Sequence, residues 1–163
     1  MRQVSRFAFF EQETPALIAA VRGSADYPDV IGEVHAFWLP DEIFLQMEFT
    51  GLPPSRVMGL HIHSGRACGV AAAPELFPEA GGHFTVCEEG MWCSRHPYHA
   101  GDLPPLFSDE YGNAFAQVFI DRTNVREVSG KPIVVHAMPD DFKTQPAGAS
   151  GVRLACGLLA ENL

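Results

Sequence analysis

The stretch VIGEVHAFWLPDEIFLQMEF, at residues 30–49, contains two short runs rich in β-branched and aromatic residues. The first run is 30–38 and the second is 43–49, and the Pro-Asp-Glu segment 40–42 lies between them. Runs of this composition, bounded by Pro, Gly and Asp, predict β-strands, and the segment between them is typical of a turn. We therefore predict a β-hairpin over this stretch.

The same composition recurs along the chain. Further strands are predicted at 16–22, 57–63, 114–120, 132–137 and 152–159. No long stretch has the 3.6-residue period of a helix. Seven or eight short strands with frequent turn signals predict an all-β fold, either an antiparallel sandwich or a barrel.

The bulk composition excludes several classes of protein. A chain of 163 residues with 47% hydrophobic and 19% charged residues is long enough for one globular domain. Its formal net charge of −9 excludes a nucleic-acid partner, because no basic stripe is present to neutralise phosphates. No apolar run is long enough to span a membrane. We predict an N-terminal extension at 1–15 and a single domain at 16–163.

A long irregular segment from Ser64 to Asn113 separates the predicted strands. It is rich in Gly, Pro and acidic residues, and it contains three of the four cysteines and three of the seven histidines. A loop of roughly 50 residues inside a compact domain is unusual unless it is functional or pinned down. Metal ligands and disulfides can order such a loop.

Two histidine patterns resemble metal-binding sequences. His61 and His63 are two residues apart on a predicted strand, so their side chains point to the same face. His96, His99 and Asp102 lie in the loop, and two imidazoles with a carboxylate suit Zn²⁺. Taken singly, each pattern also fits a half-buried strand or a solvated polar loop.

Counting possible ligands connects these patterns to two further histidines. His83 follows two glycines, and His136 ends an apolar strand. Four histidine nitrogens suit Cu(II), whereas three nitrogens and one carboxylate oxygen suit Zn²⁺. The count supplies both sites only if one residue, His83, serves both metals through its two ring nitrogens.

Five motifs, HIHSG, GGHF, HPYHAGDLPPL, VVHAMPDDF and GVRLACG, follow one another in this order and resemble the copper–zinc superoxide dismutases. The resemblance runs from about Ala16 to Leu159. It implies a Greek-key antiparallel β-barrel, an immunoglobulin-like sandwich, with two long loops that hold the metals and line the active site. It also implies the disproportionation of superoxide to oxygen and hydrogen peroxide.

The resemblance assigns a role to each matching residue. Copper would be held by His61, His63, His83 and His136, and zinc by His83, His96, His99 and Asp102. Asp140, with Asp141 as the neighbouring alternative, would be the carboxylate that joins a copper ligand to a zinc ligand. Arg153 would bind the superoxide anion, and His83 would carry a proton as the shared imidazole. Lys143 is a further candidate for attracting the anion, whereas His35 matches no ligand and is expected to be structural.

The cysteines leave more than one pairing open. From spacing alone, the four residues fit either two disulfides or four thiols in a reducing compartment. The resemblance implies a Cys68–Cys156 disulfide that ties the loop to the barrel. The segment between His83 and His96 is longer than in the family and contains Cys87 and Cys93. These two either form a disulfide that pinches the extra residues or remain thiols that compete for metal.

Alternative functions and settings accompany this interpretation. A barrel of the same family could instead store or deliver copper. A copper-only dismutase would lack the zinc set, and a zinc hydrolase would need an open position on zinc, which the four-ligand set does not leave. Family members form homodimers or stay monomeric, so both states are left open. The apolar run at the N-terminus ends after Phe10, too early for a secretory signal, which favours the cytoplasm, although the proposed disulfides favour an oxidising space.

Overall fold

The computed structural model describes residues 13–40, 42–72 and 76–162. The predicted N-terminal extension therefore lies outside the described residues except for its last three positions. Residue 41 of the predicted hairpin turn lies outside them as well.

Strands dominate the described part of the chain. In chain order they are β1 (Leu17–Gly23), β2 (Ile31–Trp38), β3 (Ile43–Thr50), β4 (Val57–Met58), β5 (Leu60–Ile62), β6 (Leu106–Phe107), β7 (Ala114–Ile120), β8 (Pro132–His136), β9 (Arg153–Leu158) and β10 (Ala160–Glu161). The helical elements are short: two 3₁₀ turns at Pro78–Ala80 and Trp92–Ser94, and one α-helix, α1 (Val125–Val128).

The main sheet is antiparallel and curls into a half-barrel. Its order is β5-β8-β9-β1-β2-β3-β7, with β10 paired to β1. The predicted hairpin pairs β2 with β3, and Trp38 lies opposite Ile43 next to the turn. A separate pair is formed by β4 and β6, and β6 contacts β7. The predicted all-β class is confirmed.

Alternation along the strands explains where the core lies. In β1, the side chains of Leu17, Ala19 and Val21 are buried, while Ala20 and Arg22, which alternate with them, are exposed. Successive side chains of a strand point to opposite faces, so a curled sheet encloses one set of them. The enclosed set forms one large apolar cluster inside the barrel.

One detail of the predicted strands was wrong. The single strand predicted at 57–63 is divided at Gly59, whose backbone N–H donates to Met138 O and whose carbonyl accepts from His136 N. Gly59 lies between the short strands β4 and β5. Its backbone bonds His136, the last residue of β8, and Met138, two residues further on. The loop predicted from Ser64 to Asn113 contains β6, a strand of two residues that pairs with β4.

Within the described ranges, no helix combines the length and the apolar composition that a membrane span requires.

Candidate metal centre

Strands β5 and β8 bring three histidines to one place. His61 lies within β5, and His63 follows one residue after its end, so both rings point to the same side. His136 is the last residue of β8, the antiparallel neighbour. The Nε2 atoms of His63 and His136 are 3.2 Å apart, and all three side chains are buried.

His83 joins this group from the long loop. Its backbone forms an isolated bridge with His63, and the ring centroids of His83 and His61 are 4.0 Å apart. Gly81, two residues before it, has a φ of +74°, a value that glycine adopts without strain. The glycines before His83 therefore allow the turn that brings its imidazole against the barrel wall.

Asp102 gathers the other loop ligands around its carboxylate. Its Oδ1 lies 2.6 Å from His83 Nδ1, and its Oδ2 lies 3.2 Å from His96 Nδ1 and 3.0 Å from His99 Nδ1. The backbone N–H of His99 also donates to Oδ2 at 2.9 Å. Three imidazole Nδ1 atoms thus converge on one buried carboxylate.

Both sets of side chains are compact enough to hold an ion. In each set, one ligand atom per residue can be chosen so that all of them lie within 4.8 Å of one another. The first set consists of His61, His63, His83 and His136, and the second of His83, His96, His99 and Asp102. His83 belongs to both.

Unpartnered nitrogens test whether metals fit these sets. Nδ1 of His61 and Nε2 of His83 are buried without a hydrogen-bond partner among the described residues. Nδ1 of His96, although 3.2 Å from Asp102 Oδ2, also forms no hydrogen bond there. Burying a polar atom without a partner costs free energy, and metal coordination removes that cost. The four-nitrogen set fits copper, and the set of three nitrogens and one oxygen fits zinc. The residues present therefore fit copper and zinc, the two predicted cofactors.

Asp140 connects the two sets from outside. Its Oδ2 accepts from His61 Nε2 and its Oδ1 from His96 Nε2, each at 2.8 Å. The alternative, Asp141, is exposed and binds the backbone N–H groups of Lys143 and Thr144 instead. A carboxylate that accepts from the outer nitrogen of a ligand histidine fixes the tautomer and orientation of its ring.

The electrostatics of the two sets differ. Burial, together with repulsion from neighbouring imidazoles, lowers the pKa of His61 to about 2 and that of His136 to about 4. A hydrogen bond with Asp102 raises the pKa of His99 above its ordinary value, against the opposing effect of burial. Burial alone would raise the pKa of Asp102, but hydrogen bonds from His83 and His99 lower it. His61 and His136 therefore resist protonation more than His99 does.

Arg153 begins β9 opposite His136 in the register of the sheet. Its guanidinium is half-buried and donates to the backbone carbonyls of Phe77, at 2.6 Å, and Gly81. Its positive charge contributes to the lowered pKa values of His63 and His136, so it lies close to the four-histidine set. Gly81 O also accepts from His63 Nδ1 at 2.9 Å, which links the guanidinium to one ring of that set.

Two disulfides hold the long loop. Cys68–Cys156 ties it to β9, and Cys87–Cys93 closes the extra residues between His83 and His96 into a small side loop. No cysteine among the described residues is free, so the structure has two disulfides and not the thiols of the alternative interpretations. The side loop ends three residues before His96, and Ser94 O accepts from His99 Nε2 at 3.1 Å.

The remaining candidates lie apart from the two sets. His35 contacts Glu33 on the outer face of β2, in agreement with the structural role expected for it. Lys143 is exposed, and its backbone N–H donates to Asp141.

Sequence reasoning missed Arg122. Its guanidinium donates to the backbone carbonyls of Asp102, at 2.9 Å, and Pro97, at 3.4 Å, in the loop that carries His99. No local pattern around Arg122 signals these contacts, because they join residues at least 20 positions apart.

The sequence of this chain is similar to those of known proteins. The sequence model of the family described as copper/zinc superoxide dismutase matches residues 30–159. The chain is 32% identical over 141 residues to Cu-Zn superoxide dismutase 2 of Aquifex aeolicus, covering 80% of each protein. It is 33% identical over 139 residues to the Cu-Zn superoxide dismutase of Caulobacter vibrioides, covering 78% of this chain and 77% of the relative.

A solved structure agrees with the sequence comparisons. A double mutant of a superoxide dismutase-like protein from Bacillus subtilis superposes with a TM-score of 0.70 at 27% identity, covering 89% of this chain and 99% of that one. The family match spans most of the described residues and includes both histidine sets. This chain belongs to the copper/zinc superoxide dismutase family.

Proposed function

We propose that the protein is a superoxide dismutase with one copper and one zinc ion that share His83. The observation that carries the proposal is the membership of His83 in both compact sets. Its Nδ1 lies against Asp102, and its Nε2 is buried and unpartnered among the described residues. Copper would be held by His61, His63, His83 and His136, and zinc by His83, His96, His99 and Asp102.

The reaction converts two superoxide anions and two protons into one O₂ and one H₂O₂. Copper, when bound, supplies the one-electron redox chemistry, and zinc, which has none of its own, supplies positive charge. His83 takes up a proton at Nε2 and gives it to the hydrogen peroxide product, while solvent supplies the second proton. Asp102, through its contact with Nδ1, keeps the ring in place during this exchange.

Arg153 binds the substrate anion in this proposal. Two of its N–H groups are used by the carbonyls of Phe77 and Gly81, which fix the guanidinium beside the four-histidine set. An arginine has five N–H donors and stays charged, so donors remain for superoxide. A local positive charge is needed because the net charge of −9 repels an anion at long range.

The direct test is superoxide decay in the presence of the purified protein loaded with one copper and one zinc. We expect fast decay that His63→Ala abolishes, with a loss of more than about 100-fold, because losing a direct ligand costs more than losing an outer partner. His63 belongs to the copper set alone, so zinc binding in the variant controls for folding.

Two outcomes would contradict the proposal. Copper bound without turnover would support the alternative, a copper storage or delivery protein of the same family. Failure of the wild-type protein to bind copper would exclude both functions.

The different pKa values predict the order in which acid removes the metals. Protons compete for His136 only below about pH 4, and for His61 at still lower pH. The pKa of His99 is raised, so protons compete for its nitrogen at higher pH. We expect zinc to leave first as the pH falls, measured as metal retained after gel filtration at stepped pH. Earlier loss of copper would contradict this assignment of the two sets.

Compartment and assembly stay predictions. The two disulfides weigh against the expected cytoplasmic location, because disulfides persist mainly in oxidising compartments. A homodimer is a prediction that sedimentation of the metal-loaded protein tests.

A further inference from the structure

His96 is held by its backbone as well as by its ring. It is 2% exposed, and it follows the side loop closed by Cys87–Cys93. Its N–H donates to Gln145 Oε1 at 3.0 Å, and its carbonyl accepts from Gln145 Nε2. One side-chain amide therefore pairs with both backbone groups of a single residue, as a neighbouring strand would.

The segment that carries Gln145 is itself closed by hydrogen bonds. Asp141 accepts from the N–H groups of Lys143 and Thr144, Gly148 N donates to Thr144 O, and Asp141 N donates to Gly148 O. Gln145 lies inside this closed turn, between Thr144 and Gly148. Its position relative to His96 is therefore set by the turn and does not depend on contacts of Gln145 alone.

Gly148 allows the turn to approach His96 closely. It has a φ of +67°, and a Cβ there would lie 2.0 Å from Asp140 Oδ1 and 2.7 Å from His96 Nε2. Any larger residue would displace the carboxylate or the ring. The turn thus contacts His96 at two points, with Asp140 at the ring and Gln145 at the backbone.

We propose that Gln145 is a positioning residue for the zinc set, acting through the backbone of His96. This rests on the proposed function of that set. Among its described contacts, Gln145 meets the zinc set only at His96, whereas Asp140 contacts one member of each set. Loss of the Gln145 amide therefore weakens zinc binding and leaves copper binding in place. In the part of the chain that the structure describes, the backbone N–H and carbonyl of His96 form no bond with another backbone group, so the Gln145 amide is the partner that holds them.

The test measures zinc and copper affinity of Gln145→Ala by competition with a chelator. We expect zinc affinity to fall about tenfold, the lower end of the range for outer partners of metal ligands, and copper affinity to stay within about twofold. Co²⁺ placed in the zinc set gives a second readout, since its visible absorption reports ligand geometry. That spectrum changes in Gln145→Ala if His96 has moved.

Two variants make the test selective. Gln117→Ala removes the same kind of side chain from β7. The Gln117 amide donates to Gln46 Oε1 at 3.3 Å and contacts neither set, so this variant should leave both metal affinities unchanged. Gln145→Glu keeps the acceptor for His96 N–H but turns a second carboxylate oxygen toward His96 O, where acceptor faces acceptor, so zinc affinity should fall at least as far as in Gln145→Ala.

The proposal is overturned if Gln145→Ala matches Gln117→Ala, or if zinc and copper affinity fall equally, which would indicate general destabilisation. These measurements need no turnover. A wild-type protein that binds both metals without dismutating superoxide would contradict the proposed function and leave this result interpretable.

Discussion

Replacing Cys68 and Cys156 together by serine is expected to lower the free energy of unfolding by about 4 to 5 kcal/mol. The two residues are 88 positions apart, so the disulfide removes much of the conformational freedom of the unfolded chain. In the folded protein it packs beside Phe77 and Val134 in a small apolar cluster. The measurement is urea unfolding of the metal-free protein, so that metal binding does not contribute.

The second disulfide supplies the matched control. Cys87 and Cys93 are only 6 positions apart, and the same chain-entropy argument gives about 2 kcal/mol for their replacement by serine. Equal losses in the two double variants, or a larger loss for the local pair, would show that loop length does not determine the effect.

The long-range disulfide also supports the position of Arg153, which we propose binds superoxide. Phe77 and Gly81, whose carbonyls accept from Arg153, lie in the loop that Cys68 ties down. A loop freed from β9 no longer fixes these acceptors, so the serine variant should also lose activity while it remains folded.

Sequence reasoning located most strands because local composition determines them. The runs at 30–38 and 43–49 are apolar, bounded by turn residues and paired with each other, and the structure has them as β2 and β3. Gly59 was missed as the end of a strand because the residues on both sides of it look like strand. Its role depends on the backbone at His136 and Met138, which is remote in sequence.

The metal ligands could be predicted from the sequence, whereas some of the residues that support them could not. Histidines and Asp102 carry recognisable spacing, so both sets could be proposed from motifs in order. Asp140, which accepts from His61 and His96, was also assigned from its motif, but other residues that hold the ligands carry no such signal. Gln145 and Arg122 act on backbone groups 49 and at least 20 positions away, through contacts that only the folded loops create.

Changing Asp140 to Asn is expected to weaken copper binding more than zinc binding. Among donors from the described residues, Oδ1 of Asp140 accepts His96 Nε2–H and Phe142 N–H, the latter at 2.7 Å, whereas Oδ2 accepts only His61 Nε2–H. The single oxygen of an Asn side chain satisfies most donors at the Oδ1 position. Its amide group then faces the N–H of His61.

The two facing N–H groups repel each other, and only a change at His61, a member of the copper set, removes this repulsion. His61 can move its proton from Nε2 to Nδ1, but Nδ1 is the buried nitrogen left without a partner among the described residues and assigned here to copper. A proton there occupies the lone pair that the metal needs. We expect copper affinity to fall about 10- to 100-fold, with a smaller loss of zinc affinity, measured by competition with a chelator.

Asp141→Asn is the matched control for this prediction. It makes the same chemical change one residue away, on an exposed side chain whose bonds to the N–H groups of Lys143 and Thr144 an amide oxygen can still accept. Both metal affinities should therefore stay as in the wild type. If Asp140→Asn weakens zinc more than copper, the oxygen has remained beside His61, and the tautomer of His61 does not control the copper set.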